Sequence, residues 1–281
     1  MALPQTGIFA LGNPSHAYVE FDLVQGADAL ALVTAVANLS EPRTTMGGVN
    51  LVTGFRPELW SAAAPARAPR ELAGFDQPVV GADGYTMPAT QHDLALWIAG
   101  GAYDLVFDAT LGVIAALHES AALADETAGW SYHRDLDLTG FIDGTENPSL
   151  SAAPARVLVP PDQPGAGGTV LLLQKWVHDS AAWTSLSTSE QEQVIGRTKR
   201  DSVELEDRPM TSHVARSDQD EFGKIFRRNT PYGSVREHGT MFVGFSAEQR
   251  PLASMLDSMA GVDGGHRDEL TRYARALSGS Y

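Results

Sequence analysis

At the midpoint of this 281-residue chain stands Gly140-Phe141-Ile142-Asp143-Gly144-Thr145-Glu146-Asn147-Pro148. No other stretch constrains the fold as much, because it interrupts the hydrophobic patterning and separates two halves that read alike. Gly140 and Gly144 bracket an acid, and the Asn147-Pro148 step keeps a helix from running straight on. Glycine has no Cβ, so the backbone here is free to take φ > 0 or to lie flat against a ligand. Asp143 is thereby presented from a tight, sterically open loop. Local composition also fits an ordinary surface turn, since Asp-Gly and Asn-Pro are common turn signals.

In the first half, an alternating run at 16–24 predicts a strand with one buried face. Apolar residues at helical spacing over 27–39 predict a helix, which residues 40–42 end. Residues 48–55 read as a second strand, 56–69 as loop with a short helix, 93–99 as a strand and 105–117 as a strongly apolar helix. The second half opens irregularly around Pro160, Pro161 and Pro164. It continues with a strand at 168–177, a helix at 187–197 and a short strand or extended segment at 212–217. A clear strand at 239–245, a helix from about 248 to 259 and a last amphipathic helix at 268–277 complete it. Each half reads strand-helix-strand, then strand-helix. That order predicts two related α+β units, each an antiparallel sheet with helices on one face. The repeat is one of pattern, not of residues.

The nine central residues, in their order, resemble the haem-contacting loop of the dye-decolourising peroxidases, whose family pattern is Gly-x-x-Asp-Gly. The resemblance implies two tandem ferredoxin-like domains, an N-terminal one over 1–139 and a C-terminal, haem-binding one over 140–281. It implies haem b, held non-covalently in a crevice of the C-terminal half, with the 140–148 loop reaching over it. Asp143 would then lie on the distal side of the iron, with Gly144, Thr145 and Glu146 beside the porphyrin. The chain lacks the long insertions of the larger fungal-type members and looks like the compact bacterial B-type class.

A haem peroxidase needs an axial ligand, a group that moves a proton between the peroxide oxygens, and a fixed cation or donor where charge separates. It also needs an acid behind the axial ligand. Most histidines are structural, but of the eight here His213 sits in Ser212-His213-Val214-Ala215-Arg216. That resembles the family's proximal Ser-His-Val-x-Arg context, so His213 is the expected ligand to the haem iron and His178 the second choice. The segment 225–233 resembles Arg-x-Asn followed by Pro-aromatic-Gly. Carried over residue by residue, Arg227 and Asn229 become the distal arginine and asparagine, while Arg228 reads as a basic surface residue. Arg227 would be a permanent cation beside peroxide or a haem propionate. Whether Asp143 or Arg227 dominates peroxide cleavage stays open. Candidates for the proximal acid are Asp257, Asp263, Asp268 and Glu269, of which the resemblance favours Asp268. The strand at 239–245 is expected to line the haem, with Met241 and Phe242 as candidates for its two faces.

Composition limits the alternatives. A net charge of −15 argues against nucleic acid and against an anionic membrane surface, but not against small or cationic partners. The absence of cysteine removes disulfides, thiolate ligation and covalent c-type haem, and fits a reducing compartment. With no signal-like N-terminus and no tail of the kind that sends some relatives into encapsulin shells, a free cytoplasmic protein is expected. The resemblance implies a peroxidase that reduces hydrogen peroxide and oxidises dyes, phenolics or other one-electron donors, and a homo-oligomer. Trp60, Trp97, Trp130, Trp176, Trp183 and the tyrosines are candidate electron relays. One alternative is a haem carrier, which needs His213 but not Asp143, Arg227 and Asn229 together. Another is a cofactor-free dimeric binding module.

Overall fold

The computed structural model describes residues 4–39, 48–262 and 264–281; the expected helix stop at 40–42 and the candidate acid Asp263 lie outside the described residues. The first half runs β1 (Ser15–Leu23), α1 (Ala29–Ala37), β2 (Val49–Phe55), α2 (Pro57–Ala63), β3 (Val79–Val80), β4 (Thr86–Met87), β5 (Leu94–Gly100), α3 (Tyr103–Leu117) and β6 (Ala121–Trp130). The second runs α4 (Ala153–Val157), β7 (Val170–His178), α5 (Ser180–Ser185), α6 (Thr188–Ile195) and α7 (His213–Arg216). It closes with α8 (Gln219–Phe222), β8 (Phe226–Arg227), β9 (Thr230–Gly233), β10 (His238–Ser246), α9 (Gln249–Ala260) and β11 (Ala274–Ala276).

The principal strands form one antiparallel path, β11-β7-β10-β9-β6-β1-β5-β2. Within each half the four strands lie in the order fourth, first, third, second, which is the expected ferredoxin-like arrangement. The halves touch along this path at one residue pair, Gly129 with Tyr232.

Alternation along the strands explains how four layers stack. In β1, Ala17, Val19 and Phe21 pack under α1 and α3 with Leu32, Val36, Val106, Val113 and Leu117. Tyr18, the alternate residue, faces the other way, into a second core with Trp97, Leu173, Met241, Val243 and Phe245. The strand expected to have one buried face therefore has two, because the sheet of the second half covers the face that solvent would otherwise meet. Among the described residues no helix is long and apolar enough to cross a membrane.

One strand went unread and two local expectations fail, each for a tertiary reason. β6 was not legible: it is rich in alanine and acids, and residues 122–126 are exposed. It is a strand because β1 pairs with it over its whole length. The expected last helix is instead a single 3-10 turn, Glu269–Arg272, followed by β11, which the free edge of β7 draws into the sheet. Arg228 is no surface residue. Its guanidinium donates to the carbonyls of Ile8 at 2.6 Å and Ala10 at 2.7 Å and lies 5.0 Å from the Trp97 ring centre. Burial pushes its pKa down to about 10.

The β7–β10 pair is the wall on which the second half is built, and it tolerates no side chain at Gly239. A Cβ there would stand 1.7 Å from the Trp176 carbonyl oxygen, whereas one at the helical Gly112 meets nothing within 4 Å. Gly239→Ala is expected to cost about 3 kcal/mol or more, the upper range for overpacking against unyielding backbone. Gly112→Ala is expected to gain about 0.5–1 kcal/mol. Urea titration of both variants checks the opposite signs.

Candidate functional site

Residues 135–143 form a small hairpin. Leu136 bridges Ile142, the Asp143 N–H donates to the Asp135 carbonyl at 2.8 Å, and the Asp137 N–H donates to the Phe141 carbonyl at 3.0 Å. Gly140 closes the turn at φ 82°, and Gly144 redirects the chain at φ 73°. A reciprocal amide clamp then fixes the loop to β8: Asn147 Nδ2 donates to the Arg227 carbonyl at 2.9 Å, and Asn147 Oδ1 accepts the Arg227 N–H at 2.8 Å. Sequence reading gave Asn147 only a turn role. Its chemistry is to set Arg227 against the loop.

The clamp brings the expected distal residues together. Asn229 Nδ2 donates to Asp143 Oδ1 at 3.3 Å, while Asn229 Oδ1 accepts the Val243 N–H of β10 at 3.3 Å. The amide is thus oriented by rigid backbone and directed at the carboxylate. Arg227 lines the same cavity, and its Nε is buried with no protein partner, a donor left for whatever occupies the space.

His213 enters from α7. The segment expected to be extended is a helical turn, because Ser212 caps it by accepting the Ala215 N–H. His213 Nδ1 donates to Asp268 Oδ2 at 2.7 Å, and Asp268 is 0 % exposed. The second oxygen of Asp268 accepts the Leu270 N–H at 2.9 Å. A buried carboxylate on Nδ1 fixes the tautomer and leaves the Nε2 lone pair to the cavity. Among the described candidate acids, Asp268 stands behind this ring, and Glu269 pairs with Arg272 at 2.9 Å. His178 stays on the sheet wall, its Nε2 3.2 Å from the Thr240 hydroxyl, and burial pushes its pKa down to about 4.

The cavity measures about 280 Å³. Leu172, Trp176 and Phe242 form the sheet side, and Ile195, Val214, Leu252, Met255 and Leu256 form much of the rest. Thr145 and Glu146 line it, while Gly144 is not a wall residue. Met241 is corrected by the strand's own period: it faces the core between the sheets, leaving Phe242 toward the cavity. At the rim Arg197 pairs with Glu146 and Glu204, and Arg208 with Glu204 and Asp218. Sequence reading also missed Asp137, which lines the cavity; burial first, and then the neighbouring Asp143, push its pKa up to about 6. The structure places it on the hairpin face shared with Asp143, which the sequence alone did not indicate.

The arrangement offers one orientable imidazole, a carboxylate held by an amide, and a fixed cation, in a largely apolar space. Among the described residues no group of three or more His, Asp or Glu forms a metal cluster.

Residues 134–281 match the family model described as Dyp-type peroxidase, C-terminal. The chain is 35% identical over 262 residues to a dye-decolorizing peroxidase of Rhodococcus erythropolis, covering 90% of this chain and 76% of that protein. A DypB variant from Rhodococcus jostii, solved in complex with heme, superposes with a TM-score of 0.89 at 31% identity, over 99% of this chain and 94% of that one. The encapsulated DyP-type peroxidase from Mycobacterium smegmatis gives 0.86 at 30% identity, over 100% and 94%.

Asp268→Asn keeps an acceptor for Leu270 but removes the charge behind His213. The expected result is a mixture of His213 tautomers in place of the Nδ1–H form, read by ¹⁵N NMR of histidine-labelled protein. A stability loss of about 1–3 kcal/mol should accompany it, from weakened pairing of buried polar groups.

Proposed function

This chain belongs to the dye-decolourising peroxidase family, and from that premise we propose how its own residues serve a haem b peroxidase that reduces hydrogen peroxide and oxidises dyes, phenolics or other one-electron donors. The observation that carries the reading is the convergence of Asp143, Arg227 and Asn229 on the cavity that His213 enters. A haem carrier would need His213 and the apolar walls, but not an amide aimed at an acid beside a fixed cation.

The cavity's donor set fits haem. His213 Nε2 would hold the iron, the apolar walls suit a porphyrin, and the orphaned Arg227 Nε and Gln174 Nε2 are donors that the protein itself does not satisfy. The rim guanidinium groups of Arg197 and Arg208 are of the kind that takes carboxylates such as propionates. When bound, the haem iron supplies the redox centre that carries oxidising equivalents from peroxide to donors.

The remaining chemistry belongs to the protein. Asp143 takes a proton from one peroxide oxygen and returns it to the other. Asn229 fixes the carboxylate for that transfer, and Arg227 holds positive charge where negative charge develops. Asp268 keeps the His213 ring oriented and basic. The apolar walls exclude bulk water, which strengthens each of these interactions. Dye-sized donors react at the rim or the protein surface.

We place the protein in the cytoplasm as a homo-oligomer and divide the chain between residues 139 and 140. The lack of cysteine supports the compartment, and pairing of strands almost wholly within each half supports the division.

Arg227→Leu should leave haem bound and slow the reaction with peroxide about a hundredfold, or about 3 kcal/mol, as expected for losing one well-placed donor. Stopped-flow absorbance over a range of peroxide concentrations measures it. A variant as fast as the parent would remove Arg227 from the mechanism.

A further inference from the structure

We propose that Asp137 is the proton store of this cavity, a positioning residue that acts through Asp143 by holding and resupplying a proton that peroxide reduction consumes. The inference rests on the peroxidase reading and deepens it.

The hairpin places the two acids together. With Leu136 opposite Ile142, Asp135 lies opposite Asp143 and Asp137 opposite Phe141. Residues two apart share a face, so Asp137 comes to the face that carries Asp143. Both line the cavity. Asp137 Oδ1 accepts the Thr139 N–H at 2.8 Å and the Thr139 hydroxyl, and the residue lines the cavity. Asp143 is instead met by a donor, the Asn229 amide. One carboxyl is presented as an acceptor, and the other sits where burial and a like charge favour its protonated form. Such a division is how two carboxyls in one site take different roles.

The surroundings bear this out. Asp143 on its own hairpin and His213 on α7 are the charged or titratable groups that act on Asp137; Asp135 shares its hairpin face, and His178, Arg227 and the Glu146–Arg197 pair line the same cavity. Burial and Asp143 raise its pKa to about 6, against the pull of the Thr139 donors and His213. It therefore carries its proton below that pH and loses it above.

The stoichiometry calls for a supply of protons. Reducing a hydrogen peroxide molecule to two waters takes two electrons, from two donor molecules, and two protons. Asp143 relocates a proton already on peroxide but adds none. Asp137 passes its proton through cavity water to Asp143 and is refilled from solvent at the rim. The competing role is a plain turn cap, since Oδ1 holds the Thr139 N–H as asparagine would.

Asp137→Asn separates the two roles, because it keeps the cap and removes the acid. The comparison is made on haem-loaded protein at matched haem occupancy. Turnover of a permanently sulfonated donor near pH 5 should fall about tenfold or more, the modest end for a lost general acid. The fall of wild-type turnover between about pH 5 and 7 should flatten, and Asp137→Glu should restore both. An Asp137→Asn enzyme that matches the wild type across this range overturns the role of Asp137 alone. A wild type without peroxide-dependent turnover overturns the peroxidase reading and this inference together. The proton itself is read without haem or activity, by ¹³C NMR of aspartate-labelled haem-free protein. A carboxyl should titrate near about 6, vanish in Asp137→Asn and move down in Asp143→Asn. Its absence from the wild type overturns the proposal even if Asp137→Asn fails to fold.

Discussion

The second half of the molecule depends on a carboxylate with no access to solvent. Asp268 is fully buried, and a buried charge is tolerated only when its lone pairs are taken. His213 Nδ1 and the Leu270 N–H take them. The backbone around it is equally committed: the Asp268 N–H donates to the Met259 carbonyl in α9, and the Glu269 N–H to the Thr211 carbonyl just before α7. One residue thus ties the turn that carries the imidazole, the end of the longest helix of this half, and the chain's approach to β11. The imidazole is oriented by the same residue that joins these elements.

Opposite that anchor, precision comes from backbone rather than from side-chain packing. Asn147 reads the peptide of Arg227 with both ends of its amide, and Asn229 is held by the Val243 N–H. The first joins the central loop to β8, and the second joins the link between β8 and β9 to β10. Strand period does the rest: in β7 and β10 one set of side chains closes the core between the sheets, and the alternate set forms the cavity wall. A one-residue register slip would exchange Met241 for Phe242 and fill the site with the wrong face.

Much of this was legible in the sequence, and the remainder was hidden for identifiable reasons. Glycines around an acid announced a loop that presents Asp143, and the contexts of His213, Arg227 and Asn229 marked residues that the fold does bring to one cavity. Long strands and helices followed their periodicity. β6 escaped because alanine and acids carry no strand signal until β1 supplies a partner. The turn at His213–Arg216 and the strand at Ala274–Ala276 exchange the expected conformations, because a serine cap decides the first and an open sheet edge the second. Arg228 looked like surface because charge is normally solvated; here three backbone carbonyls take that place. Asp137 drew no reading, because the hairpin that brings it to the face of Asp143 forms only in the fold.

The central claim is that the cavity is a haem site in which Asp268, through His213, sets the character of the iron ligand. The most direct test is to titrate hemin into haem-free protein, reduce it, and record the iron–histidine stretch by resonance Raman for the parent and for Asp268→Asn. The account predicts saturation at a single haem per chain, with a stretch at the high frequency of a strongly hydrogen-bonded imidazole that drops when the carboxylate is lost. Non-saturating binding, or an iron–histidine stretch that Asp268→Asn leaves unmoved, would contradict it.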